Sequence, residues 1–224
     1  FGTGVELGFS YPPDHPVDRL VRCVAGRAGA AAVDLSLEIH MRRDAVLPLG
    51  LHPVLALPEA PGAAELDITV REAMTYPVPT EPGVSRLLPG VVTADLRCTP
   101  SQDGTCNLMS LPLPAETEEL VQVAVADGRV RLANRMDGYA VTLNWDVGQF
   151  PFCLLWISKK GRSEAPWLNR HLALGVEPVA SAFDLGVGVS RAALTPLSRL
   201  GATTQALSAE TPFRTTYSIE VTPL

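Results

Sequence analysis

Ten residues, Val33 to Arg42, constrain the fold more than any other stretch. Val33, Leu35, Leu37, Ile39 and Met41 alternate there with Asp34, Ser36, Glu38, His40 and Arg42. Successive strand side chains point to opposite faces, so this run has one apolar and one polar face as a strand and no such division as a helix. The same period recurs in Tyr139, Val141, Leu143 and Trp145, and again in Thr215, Tyr217, Ile219 and Val221. Val5 to Tyr11 and Asp18 to Ala25 read as shorter strands on either side of a turn at Pro12-Pro13-Asp14-His15-Pro16. No segment supports a helix of three turns. Many strands with turn signals between them argue for an all-β fold, an antiparallel β-sandwich, occupying residues 1–224 as a single domain.

Between these anchors the pattern is less regular. Leu120 to Val125, Ala126-Asp127-Gly128-Arg129 and Val130 to Ala133 predict a hairpin, because Asp-Gly supplies the backbone angles of a tight turn. Phe150 to Ile157 is apolar on both faces and predicts a central strand covered on both sides. Prolines cut residues 58–115 into short pieces, with a strand at Leu66 to Val70 and a loop at a cleft rim over Met74 to Pro79. Ala192 to Thr195 and Gly201 to Ser208 read as short strands.

Charge narrows the partners. The net charge is −6 and the sequence pI about 5.2, and basic residues cluster only at Arg42-Arg43 and Lys159-Lys160-Gly161-Arg162. No basic stripe is available to track phosphates, so nucleic acid is excluded as an expected partner. No apolar run approaches the roughly 18 residues that span a bilayer, and no leader pattern opens the sequence. A cytoplasmic protein without a membrane partner is expected. Cys23, Cys98, Cys106 and Cys153 have irregular spacing and read as reduced thiols, although Cys98 and Cys106 flank a turn they could bridge in an oxidising compartment. No Cys or His spacing suggests a metal site.

Two residues stand out chemically. From Leu172 to Glu177, Leu172, Leu174 and Val176 point one way while Ala173, Gly175 and Glu177 point the other. Glu177 thus leaves the apolar face beside two residues too small to fill the space above a sheet, which predicts a cleft. Pro178 is expected to end or bulge the strand. In Leu51-His52-Pro53-Val54-Leu55-Ala56-Leu57, His52 shares a face with Val54 and Ala56 and points away from Leu51, Leu55 and Leu57. Imidazole is the side chain best matched to proton transfer near neutrality. The plainer alternatives are a solvated strand-edge Glu and a hydrogen-bonded structural His. His15 reads as solvated, and His40 and His171 as structural. Arg162 is a candidate contact for an anionic substituent, a solvated loop being the alternative.

His52-Pro53-Val54-Leu55-Ala56-Leu57 resembles the His-Pro-Tyr-Phe-Asn-Leu stretch of the aldose 1-epimerases, and Leu174-Gly175-Val176-Glu177-Pro178 resembles the strand that presents their catalytic Glu. The resemblance runs from about Val33 to the C-terminus. It implies the galactose mutarotase-like supersandwich, a small-molecule carbohydrate as ligand, no cofactor, and His52 and Glu177 as the acid and base of anomer exchange. Trp156 and Trp167 then become candidate platforms for a sugar ring, with a buried core Trp as the alternative. The family also holds its sugar with an Arg and a further His from preceding strands, for which this sequence has no match. Its Gln-x-Tyr strand is replaced by Leu154-Leu155-Trp156. These departures leave a truncated start or an altered function open. A non-catalytic carbohydrate-binding or regulatory protein on the same fold is the second reading. A purely structural β-domain is the third, and it places His52 and Glu177 more than about 10 Å apart, beyond hydrogen-bond reach of one sugar. The sugar and the oligomeric state are not legible.

Overall fold

The computed structural model describes residues 3–224. The chain opens as an antiparallel meander of β1 (Gly4–Ser10), β2 (Val17–Gly26) and β3 (Ala32–Met41), the last being the strongly alternating run. Three short strands follow, β4 (Ala45–Leu47), β5 (Leu49–Gly50) and β6 (Val54–Ala56), then the long β7 (Ala64–Thr75). The proline-rich region contributes β8 (Val92–Thr93), β9 (Thr99–Ser101), β10 (Gly104–Cys106) and β11 (Ser110–Leu111). Beyond it run β12 (Thr117–Asn134), β13 (Tyr139–Trp145), β14 (Phe152–Lys159) and β15 (Leu172–Ala180), and β16 (Gln205–Leu207) and β17 (Phe213–Pro223) complete the set. The main sheet has the order β1-β2-β3-β17-β13-β12-β14-β15-β5, every pairing being antiparallel.

β12 organises this arrangement. Along one edge it pairs with β7 for most of its length. Along the other it pairs with β14 through residues 117–124 and with β13 through residues 129–134. The sheet therefore divides at residues 125–129 into two arms, and both contribute to one core: Leu35, Trp145 and Tyr217 from the first, Leu155, Ile157, Leu174 and Val176 from the second. Each fully buried Leu or Ile here contributes about 1.5–3 kcal/mol by removal from water.

This corrects the expected hairpin. Asp127-Gly128 does not reverse the chain; the strand continues through a bulge in which Val125 faces Val70 and Val130 faces Ile68. Gly128 is needed for proximity rather than for a left-handed backbone, since a Cβ there would sit 2.0 Å from the carbonyl oxygen of Trp145. The turn at Gly138 does adopt a positive φ, 73°, as its hairpin requires. Of the two short strands expected here, that at residues 192–195 is not formed and that at residues 201–208 is found in part, as β16. Gly186–Ala192 forms helix α1 and Pro196–Arg199 a 3₁₀ turn, with strand only at β16. Ala192 instead ends α1, with Ala193 capping it in the left-handed region at a φ of 50°. Among the described residues no helix is long and apolar enough to cross a membrane.

The two faces of the second arm differ in use. On β14, Cys153, Leu155 and Ile157 enter the core, so Leu154, Trp156 and Ser158 face the other way. Register extends that outer face to Leu120 and Gln122 on β12 and to Gly175 and Glu177 on β15. Tyr76, just past β7, adds the far wall.

Candidate active site

Glu177 stands opposite Leu154, and Gly175 opposite Trp156. Gly175 has a steric reason to be glycine: a Cβ there would lie 2.5 Å from Glu177 Oε1 and 3.0 Å from Trp156 Cβ. The carboxylate thus occupies the space a side chain at 175 would fill.

Pro178 does not end the strand, which runs on to Ala180. Residues alternate in the direction of their backbone groups, and Val176 donates its N–H to Pro53 O at 2.9 Å while Pro178 accepts from Leu51 N at 2.9 Å. The donor that Pro178 lacks would therefore face the His52 segment and not β14, whose ladder stays whole. On that other side the partner is interrupted, with β5 ending at Gly50 and β6 starting at Val54. His52 sits in the gap, free of the pleat.

There the imidazole comes to 3.4 Å of the carboxylate, Nε2 to Oε1, with its side chain 64% exposed and that of Glu177 only 10%. The separation of more than about 10 Å expected of a purely structural domain is not found. Both groups line a cavity of about 540 Å³ that Trp156, Arg162, Trp167 and Asp184 also line. All five residues singled out in the sequence thus meet at one cavity.

Burial pushes the Glu177 carboxyl up to about 7; the positive character of His52 opposes the rise and the negative charge of Asp184 adds to it. Burial first, then the neighbouring Asp184, raise the Tyr76 hydroxyl from 10 to about 12. The loop that carries Asp184 is fastened from beneath by Gln122. Its amide donates to Ser181 O at 2.9 Å and accepts from Phe183 N at 2.6 Å, and Phe183 meets Tyr76 edge-on. Phe183 holds a positive φ of 49°, which this two-point clamp helps to fix.

Trp156 forms the cavity floor. His171 stacks on it at 4.9 Å between ring centroids, His52 approaches its edge at 6.3 Å, and the Arg162 guanidinium lies between its ring and that of Trp167, at 5.6 and 4.8 Å. Beneath lies a fully buried carboxylate. Glu118 accepts from Trp156 Nε1 at 3.0 Å and from Ser158 Oγ at 2.6 Å, and Ser158 bonds in turn to His171 Nδ1 at 2.8 Å. Arg162 Nε lies 3.5 Å from Glu81 and 4.0 Å from Glu118. His171 therefore belongs to the scaffold of the site.

Sequence reasoning did not single out Tyr76, Glu118, Gln122 or Asp184. Gln122 did leave a signal, a lone amide between Val121 and Val123 in an otherwise apolar run. Asp184 left none, because its approach depends on the loop path after β15.

No protein-family model matches the sequence, and a search of curated proteins finds no relative. Solved structures do match. A proposed aldose 1-epimerase from Escherichia coli aligns at 15% identity and a TM-score of 0.66, over 99% of this chain and 66% of its own. A galactose mutarotase related enzyme from Lactobacillus acidophilus aligns at 12% and 0.58, over 98% and 68%. A galactose mutarotase-like protein from Clostridium acetobutylicum gives 10% and 0.59, over 99% and 63%. The fold is galactose mutarotase-like. This galactose mutarotase-like chain spans about two thirds of the length of each of these neighbours.

Proposed function

We propose that the protein interconverts the anomers of an aldose by acid/base ring opening. The observation that carries this reading is the pairing of His52 with Glu177 at 3.4 Å, at a cavity of sugar size and with the carboxyl near neutrality. A general base works best when its pKa lies near the working pH. Glu177 takes the proton of the anomeric hydroxyl while the imidazolium of His52 gives one to the ring oxygen. The bond from the first carbon to the ring oxygen breaks as the carbonyl forms. Rotation about the adjoining carbon–carbon bond and reversal of both transfers yield the other anomer. Each positioned proton carrier is worth about 10²–10⁴ in rate. Trp156, Trp167 and the Arg162 guanidinium held between them form one wall of the cavity against which the sugar would lie.

The four cysteines are unpaired thiols, which supports a reducing, cytoplasmic setting. A non-catalytic carbohydrate-binding protein on the same cavity is the second reading. It is favoured by the exposure of His52. Anomer exchange measured by NMR over a panel of aldoses separates the two. Acceleration by the protein that Glu177→Gln abolishes supports the epimerase; binding without acceleration supports the second reading.

A further inference from the structure

We infer that β1 is an interaction surface for a second copy of this chain, the two strands joining antiparallel about a two-fold axis at Leu7 so that the main sheets of both protomers become one. β1 ends the order of the main sheet on the side away from β15, which carries Glu177, so this surface is independent of the proposed chemistry.

Among the described residues β1 pairs with β2 alone, in unbroken register from Gly4 opposite Ala25 to Ser10 opposite Arg19. Thr3 O accepts from Gly26 N, and Tyr11 N donates to Asp18 O. Odd-numbered residues therefore turn their backbone groups to β2, while Gly4, Glu6, Gly8 and Ser10 turn theirs to the open side. The usual protections of such an edge are missing: Gly4–Ser10 contains no proline, lysine or bulge, and Glu6 is its lone charge. Val5, Leu7 and Phe9 share one face of the strand and are 60%, 45% and 54% exposed. Further in, that same face is buried, since Val24 and Leu20, opposite Val5 and Phe9, pack against the core.

A second copy fits because the strand is complementary to itself. With Leu7 opposite Leu7, Val5 meets Phe9 of the partner subunit, Glu6 meets Gly8 and Gly4 meets Ser10. The residues whose backbone faces outward then meet one another, and the Glu6–Gly8 and Gly4–Ser10 pairs exchange about eight backbone hydrogen bonds in all. Val5, Leu7 and Phe9 fall at the non-hydrogen-bonded pairs, where side chains approach most closely. The two Glu6 residues lie on the diagonal, about 7–8 Å apart in solvent, so added salt should tighten the dimer.

Sedimentation velocity of the full chain from low to high micromolar concentration should show a reversible monomer–dimer equilibrium, as expected of a small interface. Leu7→Lys sets like charges against each other on the axis and removes an apolar contact from both copies, so dimerisation should weaken by about tenfold or more. Unfolding of the monomer should be unchanged, since Leu7 is half exposed there. Register is read with Leu7→Cys, whose two copies would sit about 4.5 Å apart between Cα atoms, a span that a disulfide accommodates. Mild oxidation should give a covalent dimer from L7C and not from Val5→Cys, above the background of the parent's free thiols. A chain that stays monomeric at every concentration, a dimer that L7K leaves intact, or equal cross-linking of L7C and V5C overturns the inference.

Discussion

Replacing Glu177 with Gln should change how stability depends on pH, and in a direction opposite to that of most protein carboxylates. The ordinary value for Glu is 4.5, and burial lifts this one to about 7. Below about pH 4.5 the carboxyl is protonated whether the chain is folded or not, and no cost arises. Between the two values the folded state keeps a proton that the unfolded state has released, so stability falls as pH rises. Above about 7 both states are ionised and the full cost of burying the charge is present. At 1.36 kcal/mol per pH unit the loss amounts to about 3 kcal/mol. Gln has the shape of Glu and cannot titrate, so the difference between the two proteins reports this residue together with its coupling to His52 and Asp184. Urea unfolding of both from pH 4.5 to 8 should show Glu177→Gln gaining about 3 kcal/mol on the parent across that range. A difference that stays flat, or a parent that gains on the variant as pH rises, would refute the account of Glu177 as a carboxyl held up by burial.

Two further outcomes follow from close contacts at the site. Gly175→Ala places a methyl 2.5 Å from Glu177 Oε1, too close for both to keep their places, so anomer exchange by NMR should fall by about 10- to 100-fold with a stability loss of about 1–3 kcal/mol; wild-type exchange from a wild-type-stable variant would rule out that displacement. Glu118→Gln leaves one oxygen to accept from Trp156 Nε1 and makes the other position an amide that must donate to Ser158 Oγ, so both charge-assisted bonds are lost. Unfolding should be easier by about 1–3 kcal/mol with an altered tryptophan emission, and an unchanged spectrum would show that Glu118 does not position Trp156.

The strand period made the architecture legible wherever one face is buried and the other wet, as in β3, β13 and β17. It also placed Glu177 and His52 on the correct faces, since alternation survives even where His52 leaves the ladder. What the sequence could not convey was partner choice. Nothing in residues 117–134 says that one edge of the strand stays with β7 while the other exchanges β14 for β13, so Asp127-Gly128 looked like a reversal. Pro178 misled for the same reason: whether a missing N–H interrupts a strand depends on which neighbour that N–H would have faced. The supporting layer of Glu118, Ser158 and His171 comes from three distant segments and has no local signature.

The gap that frees His52 also separates two kinds of selection. Pro178 offers no donor there and the backbone on either side is held by Leu51 N and Pro53 O, so the sheet gains nothing from the identity of the side chain at 52. Glu177 is different, its place being enforced by Gly175 and Trp156. A lineage of such proteins could therefore replace the side chain at 52 without disturbing the backbone ladder, while the shape of the side chain at 177 is constrained by its neighbours. Proteins that keep the sheet and the carboxylate but vary at position 52 would retain the shape of this cavity and, on the proposed reading, lose its proton donor.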